Sequence, residues 1–413
     1  MHGRGVRLPV ALGVTVVAAG AATLALRPRS GLIQPAPVRA TAYFSHAELD
    51  RIHAYVGPQR ALALGGLAVS GATIALLALR PPRRARRALD RLAGRRPWLA
   101  AAATGAAIVV VVGVATLPFT GVAHQRAVDY GLSTQDWGGW ASDVAKSEAI
   151  GALLAALGAL ILVALVGRFP RRWWVPGSVA VVALGALFTF VAPVVLEPIF
   201  NRFTPLPEGQ LRSDVLDLAR RSGVKVGQVY EVDASRRTTG SNAYVAGLGS
   251  TKRVVLYDNL IRGYSREQVD SVVAHELGHV KHRDVARGLL WLAIVAPAAT
   301  LLVQRLTEQI APGGDGRPGP RFLTAAALSF ALVSFGTGVA SNALSRRVEA
   351  RADAYALGLT RDSKAFIAVE RKLALDNLSD PDPPGWLRTL FGTHPTAVER
   401  IGYALRFERG RGR

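Results

Sequence analysis

Seven long stretches without a charged side chain divide this 413-residue sequence: Leu8–Leu26, Ala61–Leu79, Trp98–Phe119, Ala149–Gly167, Trp173–Leu196, Gly288–Val303 and Phe322–Leu344. A helix crossing the hydrocarbon core of a bilayer needs about 20 apolar residues, and soluble cores seldom hold charge-free runs of that length. Six stretches are long enough. Gly288–Val303 is shorter and carries Pro297, yet it too reads as a span. Trp98, Trp173, Trp174 and Trp291 stand at or near span ends, where indole rings favour the headgroup region. A cleaved leader is the other reading of Leu8–Leu26, but Arg27-Pro28-Arg29 follows directly with no small-x-small site, which favours a retained first span.

Charge is confined to the segments between these runs. Half the residues are hydrophobic, 19% are charged, and the net charge is +21, from 44 Arg and 6 Lys against 29 acids. Basic clusters that flank membrane spans suit anionic lipid headgroups better than nucleic acid. Cysteine is absent, which excludes disulfides, thiolate metal sites and thiol catalysis. Orientation can be read from the short loops. Arg80–Pro97 holds eight arginines against one aspartate, and Arg168, Arg171 and Arg172 sit in the next loop on the same side. Short arginine-rich loops stay cytoplasmic, which puts the long segment after the fifth span on the other side.

Two segments are large enough to fold outside lipid: 197–287, and 345–413 beyond a helical hairpin, 288–344, with 1–196 forming the first five spans. In the first, Val224, Val226, Val229 and Val232 alternate as a strand. Ser241–Leu248 and Arg253–Leu256 read as two more, joined by a hairpin turn using Gly247, Gly249, Ser250 and Thr251. Ser265 and Gln268 form a capping box that opens a helix running to about Arg287. The expected architecture is a mostly α, polytopic membrane protein of about seven helices, with a discontinuous α+β metallopeptidase domain built on a small antiparallel sheet.

The helix opened by Ser265 contains His275-Glu276-Leu277-Gly278-His279. Residues four apart share a helical face, so both imidazoles can reach one ion. Zinc suits two neutral imidazoles and a carboxylate, with a fourth position open to water. Glu276, beside the first histidine, can then take a proton from that water. Incidental histidines on an amphipathic helix are the bland alternative. Downstream, Glu349 and Asp353 also lie four apart. Glu349 could ligate metal while Asp353 steadies a ligand histidine, or both could belong to a solvated helix laced with pairs such as Arg346–Glu349 or Arg351–Glu349. His282 reads as a surface residue, and His46, His53 and His124 as residues of scaffold loops.

Several motifs in one order resemble the type I CAAX prenyl proteases, integral-membrane zinc endopeptidases. They are Leu196–Leu206 (LEPIFNRFTPL), Ser241–Gly247 (SNAYVAG) with Arg253–Leu260 (RVVLYDNL), HELGH, Glu349 to Asp353, and Thr393-His394-Pro395 followed by Val398-Glu399-Arg400. The resemblance covers most of the chain. It implies one zinc ion held by His275, His279 and Glu349, with Glu276 as general base, Asp353 orienting a ligand histidine or donating a proton, and His394 steadying the oxyanion. It further implies that Asn242, Ala243 and Tyr244 pair with a peptide substrate as an added strand, and that Arg400 serves as a structural or anionic-group contact. Val245 stands where an aromatic is common and Asn259 where a threonine is usual, which bears on cleft shape more than on chemistry. The family's eukaryotic members place the zinc domain toward the cytosol, opposite to the arginine count, and substrate access favours the family arrangement.

The function expected is cleavage of peptide bonds near the C-terminus of lipidated or membrane-proximal proteins, by a multi-pass enzyme of the cell membrane if the host is bacterial. Quality-control proteolysis of membrane proteins with the same chemistry is the nearest alternative. Intramembrane metalloproteases place HExxH inside an apolar span, whereas Arg266, Glu267, Asp270, Lys281, Arg283 and Asp284 flank it here. A transporter or scaffold with a structural zinc site would give Glu276 no role.

Overall fold

The computed structural model describes residues 6–247, 252–312 and 318–411. Among them, seven helices are long and apolar enough to cross a membrane. These are α1 (Leu8–Leu26), α2 (His46–Leu79), α4 (Pro97–Asp129), α5 (Trp137–Arg168), α6 (Trp174–Val195), α11 (Asp284–Ile310) and α12 (Pro320–Thr360). Their surfaces are those of lipid-facing helices. Val17 is 69% exposed and Leu153 70% exposed, which in water would forfeit the burial that stabilises folded chains. The chain is a multi-pass integral membrane protein.

Several helices outrun their apolar stretches. α2 begins at His46 instead of near Ala61, because Ser45 accepts from the Glu48 amide while the Glu48 carboxylate accepts from the Ser45 amide, a capping box. His46 and His53 therefore lie on a helix, not in a loop. His124 lies within α4, buried between Trp137 and Trp140. The arginine-rich loop contains a further helix, α3 (Arg83–Arg95). Trp173, at the start of α6, and Trp291 are buried against neighbouring helices, and the Trp291 indole donates to Thr23 Oγ1 on α1.

The polar domain begins with α7 (Glu197–Phe200) and β1 (Phe203–Pro205). It continues through α8 (Gln210–Ser222), β2 (Gln228–Val232), β3 (Ala243–Ala246), β4 (Arg253–Tyr257), α9 (Asp258–Gly263) and α10 (Arg266–Lys281). After α12 it resumes with α13 (Ser363–Asp376), α14 (Gly385–Phe391) and α15 (Ala397–Arg411). The strand order is β1-β2-β4-β3, and β2 pairs with β4 in parallel while the other pairs are antiparallel. The expected sheet is thus mixed instead of wholly antiparallel. Alternating hydrophobicity sets which face of a strand is buried but not its neighbour, and the β3–β4 hairpin folds back so that β4, not β3, lies beside β2. The strand expected across Val224–Val232 is confined to Gln228–Val232. The hairpin turn at Gly249–Thr251 lies outside the described residues.

Val229, Val254 and Leu256 from the sheet pack on Val269, Val273 and Leu277 of α10, and all six are fully or almost fully buried. A helix so anchored presents its opposite face, with both histidines, in a fixed position. The Ser265–Gln268 capping box forms as the sequence predicts. The helix, however, stops at Lys281 instead of Arg287. Arg283 takes a left-handed conformation (φ 55°) and α11 starts afresh at Asp284.

On the far side of α10, Asp270 Oδ1 is buried with no hydrogen-bond partner. Burial, reinforced by Asp214 and Glu267, pushes its pKa from 3.8 up to about 6. A carboxyl whose folded pKa is raised destabilises the fold once pH climbs from about 4 through about 6. Asp270→Asn is therefore expected to raise the melting temperature at pH 7.5 and leave it unchanged near pH 4. Thermal melts in detergent at the two pH values check this, and no gain at pH 7.5 would refute it.

Candidate metal centre

α10 and α12 cross where the hairpin returns to the polar domain. α12 is one 41-residue helix that leaves the apolar stretch and continues to Thr360 without a break. It thereby carries Glu349 and Asp353, four residues apart on one face, to the two histidines of α10. Gly278 lies against α12 at this crossing, where a β-carbon would stand 3.1 Å from the Tyr355 ring and 3.4 Å from the Ala352 backbone. A glycine is what lets the two helices approach closely enough for their side chains to share one point.

At that point three donors converge. His275 Nε2 lies 3.1 Å from His279 Nε2 and 3.2 Å from Glu349 Oε2, and His279 Nε2 lies 3.6 Å from Glu349 Oε1. Donors held about 2.1 Å from a tetrahedral ion stand about 3.4 Å from one another. His275 Nδ1 lies 2.8 Å from Asp353 Oδ1 and His279 Nδ1 lies 3.1 Å from Asp284 Oδ2. A carboxylate only accepts, so each Nδ1 carries the proton and each Nε2 turns its lone pair inward. Two lone pairs and a carboxylate facing each other call for a cation between them, a proton on Nε2 or a metal ion in its place. Glu349 Oε2, buried without a hydrogen-bond partner, says the same. The donor set fits a metal ion.

Carboxylates on the outer side of the histidines are themselves held by arginines. Asp353 is fully buried and takes two bonds from Arg400, at 2.6 and 3.0 Å, and Arg400 is also paired with buried Glu370 at 2.6 Å. Asp284 is paired with Arg351 and with Arg287 at 3.4 Å. Burial opposes protonation of His275, but Asp353 and Glu349 outweigh it and hold its pKa up at about 10. A bound metal competes with that proton for Nε2. Burial pushes the Glu276 carboxyl up, and pushes Glu370 up to about 7 against the pull of Arg400.

The remaining sequence candidates fall on one side of this centre. His394 is exposed, with Nε2 3.3 Å from Glu349 Oε2. His394, Asn242 and Arg400 line one cleft of about 600 Å³. Ala243 and Tyr244 lie on β3, the edge strand, with Ala243 buried and the Tyr244 hydroxyl donating to Glu197 Oε2 at 2.5 Å. Arg400 has its guanidinium committed to Asp353 and Glu370. Asn259 donates to the Thr238 and Gly240 carbonyls at 2.7 and 3.0 Å, pinning the loop that leads into β3. His282 is half-buried, with Nδ1 on the Gly278 carbonyl and its ring edge-on to Tyr355.

Sequence reasoning missed Asp284 and Glu370. Asp284 is counted there only as a charge beside the motif, since a helix running to Arg287 would place it five residues past His279 on another face. The break at Arg283 is what turns it inward. Glu370 sits alone on α13 with no spacing to mark it.

A membrane-embedded helical bundle joined to a domain whose HExxH helix meets a carboxylate from a second helix defines a membrane metallopeptidase. The comparisons agree. Residues 205–407 match the family model described as Peptidase family M48, and residues 74–202 match CAAX prenyl protease N-terminal, five membrane helices. The uncharacterized metalloprotease YhfN of Bacillus subtilis is 31% identical over 305 residues, covering 72% of each chain. The CAAX prenyl protease 1 homolog of Oryza sativa subsp. japonica is 33% identical over 226 residues, 53% of this chain and 52% of that one. The chain thus spans about half the length of that relative. The crystal structure of S. mikatae Ste24p has the same fold, with a TM-score of 0.74 over 96% of this chain and 98% of that chain at 17% identity. The chain belongs to peptidase family M48 and is a membrane metalloendopeptidase.

Outer-shell carboxylates that orient ligand histidines typically govern metal affinity by about 10- to 100-fold. Asp284→Asn is expected to weaken metal binding by about that factor while leaving the circular dichroism spectrum unchanged. Competition with a chromogenic chelator measures it, and wild-type affinity would show that Asp284 does not orient His279.

Proposed function

We propose that the metal is zinc, one ion per chain, held by His275, His279 and Glu349, and that the site hydrolyses peptide bonds in lipidated or membrane-proximal proteins. The observation that carries this is the convergence of two Nε2 atoms and one carboxylate at 3.1–3.6 Å. The peptidase domain is then discontinuous, with 197–287 and 345–413 on either side of the membrane hairpin 288–344, and 1–196 as the transmembrane region. When bound, zinc supplies Lewis acidity that polarises a scissile carbonyl and makes water a nucleophile near neutral pH.

This chain's own groups do the rest. Glu276 accepts a proton from the attacking water and returns it to the leaving amine, and its raised pKa lets one carboxyl do both. His394 donates from Nε2 toward the oxyanion that develops at the scissile carbonyl, from a position 3.3 Å from Glu349. Asp353 holds His275 in the tautomer that ligates, with Arg400 fixing Asp353 in turn. The free edge of β3, with Asn242 at its start on the cleft, takes the substrate backbone as an added strand, and Tyr244 stiffens that edge through Glu197. Backbone pairing confers affinity without a strict sequence. The names of the prenyl protease relatives support a C-terminal, lipid-anchored substrate, and so does an active site carried on membrane helices.

Glu276→Gln is expected to retain one zinc per chain and lose about a hundred- to ten-thousand-fold in cleavage of a farnesylated peptide, the order expected when a general base is removed. Elemental analysis and a peptide assay on detergent-purified protein read the two quantities, and retained turnover would sink the mechanism. Glu349→Ala is expected to lower zinc content. Full occupancy in that variant would remove Glu349 from the ligand set.

A further inference from the structure

Three polar side chains share one face of α12. Asn342, Arg346 and Glu349 follow one another four and three residues apart, which stacks them along one side of a helix that runs unbroken to Thr360. Glu349 faces the histidines of α10. Arg346, which the sequence allows to pair with Glu349, turns to α14 instead. Its Nη1 donates to the Arg388 carbonyl at 2.9 Å and to the Gly392 carbonyl at 2.5 Å. Asn342 donates to the Leu390 carbonyl at 2.7 Å. All three carbonyls stand at the C-terminal end of α14, where a helix runs out of its own donors and a cation is favoured.

His394 comes two residues after that anchor. Gly392 passes so close to the last turn of α14 that a β-carbon would stand 2.7 Å from the Arg388 carbonyl oxygen. On its other side the loop runs straight into α15, with Pro395 and Thr396 buried. The Thr396 amide donates to Glu399 Oε2, and the Glu399 amide donates to Thr396 Oγ1. Glu399 in turn pairs with Arg388 at 2.7 Å, which ties the start of α15 to α14. The His394 ring is exposed, with Nδ1 2.8 Å from Thr393 Oγ1 and Nε2 3.3 Å from Glu349 Oε2. Its backbone is therefore gripped from both ends, and the grip leads back to α12.

We propose that Arg346 is a positioning residue for the reaction: by holding the end of α14 one turn before Glu349 on the same helix, it fixes His394 against the metal centre. The carboxylate ligand and the oxyanion donor then ride on one rod, and their spacing is set by α12 alone. Arg346 touches no substrate and acts through His394. Its planar guanidinium holds two carbonyls in fixed directions, which the flexible ammonium of a lysine reproduces only in part. Asn342 supports the same segment with a neutral and weaker bond. This role deepens the proposed function and rests on its reading of His394 as the group that steadies the oxyanion.

The test is a double-variant cycle on zinc-loaded, detergent-purified protein with the farnesylated peptide. A catalytic group displaced by about 1 Å costs on the order of a hundred-fold, so Arg346→Ala is expected to lose about that factor in kcat. KM, zinc content and melting temperature are expected to stay close to wild type, and Arg347→Ala, at the exposed neighbouring position, to leave kcat unchanged. In a His394→Ala background, Arg346→Ala should cost nothing further. A further loss there, a loss carried by KM or by zinc content, or wild-type kcat in Arg346→Ala would overturn the proposal. Arg346→Lys is expected to lose less, and its loss too should vanish in the His394→Ala background, which keeps the cycle decisive should the alanine variant fail to fold. Anchoring is read without hydrolysis. Because the chain has no cysteine, spin labels at Trp386→Cys and Glu208→Cys, both exposed positions, report a single distance. Its distribution is expected to broaden in Arg346→Ala, and an unchanged distribution would overturn the anchoring. Broadening together with a fully active His394→Ala enzyme would instead remove His394 from the mechanism, a failure of that reading and not of the anchor.

Discussion

The need for positive charge at the point where His275, His279 and Glu349 meet is the constraint around which the polar domain is organised. Two imidazole lone pairs and a carboxylate do not stay within 3.6 Å of each other for their own sake. They are held there by a rigid α10 locked onto the sheet, by a continuous α12 rising from the membrane, and by Gly278 where the two cross. Such a cluster is a charge deficit waiting for a cation, and the scaffold bears that cost so that the site is already formed when the ion arrives.

The way the cost is spread explains the buried charges nearby. Asp353 and Asp284 each draw a proton onto Nδ1 of one histidine, and each is itself neutralised by arginine. Burying a lone carboxylate is expensive, and a carboxylate fixed between a cation and an imidazole is far less so. Arg400 also carries Glu370, so the chain of alternating charge runs from α13 through α15 and α12 to α10. Elements far apart in sequence are tied to one ring nitrogen. The discontinuity of the domain is thus a consequence of its electrostatics as much as of its topology.

Much of this was legible early because some signals are local. A run of 23 uncharged, mostly apolar residues reads as a span whatever packs against it. The Ser265 capping box and the spacing of His275 and His279 act within one or two turns of helix, and both formed as expected. The break at Arg283 did not announce itself, because no glycine or proline marks it and the local pattern favours a longer helix. The parallel pairing of β2 with β4 was equally hidden, since period-two burial is the same for either neighbour.

The sequence by itself determined a seven-span chain, a helix presenting two histidines and a glutamate on the right faces, and a second helix with two carboxylates four apart. Each of these depends on contacts within a few residues, where spacing and side-chain type suffice. Tertiary structure alone decided that Glu349 meets the histidines while Asp353 stands behind one of them, that Asp284 serves the other, and that Arg400 is spent inside the domain instead of on its surface. Those outcomes depend on where α10 and α12 cross, on the break at Arg283 that turns Asp284 inward, and on which charges burial forces together, and the sequence pattern marks none of them.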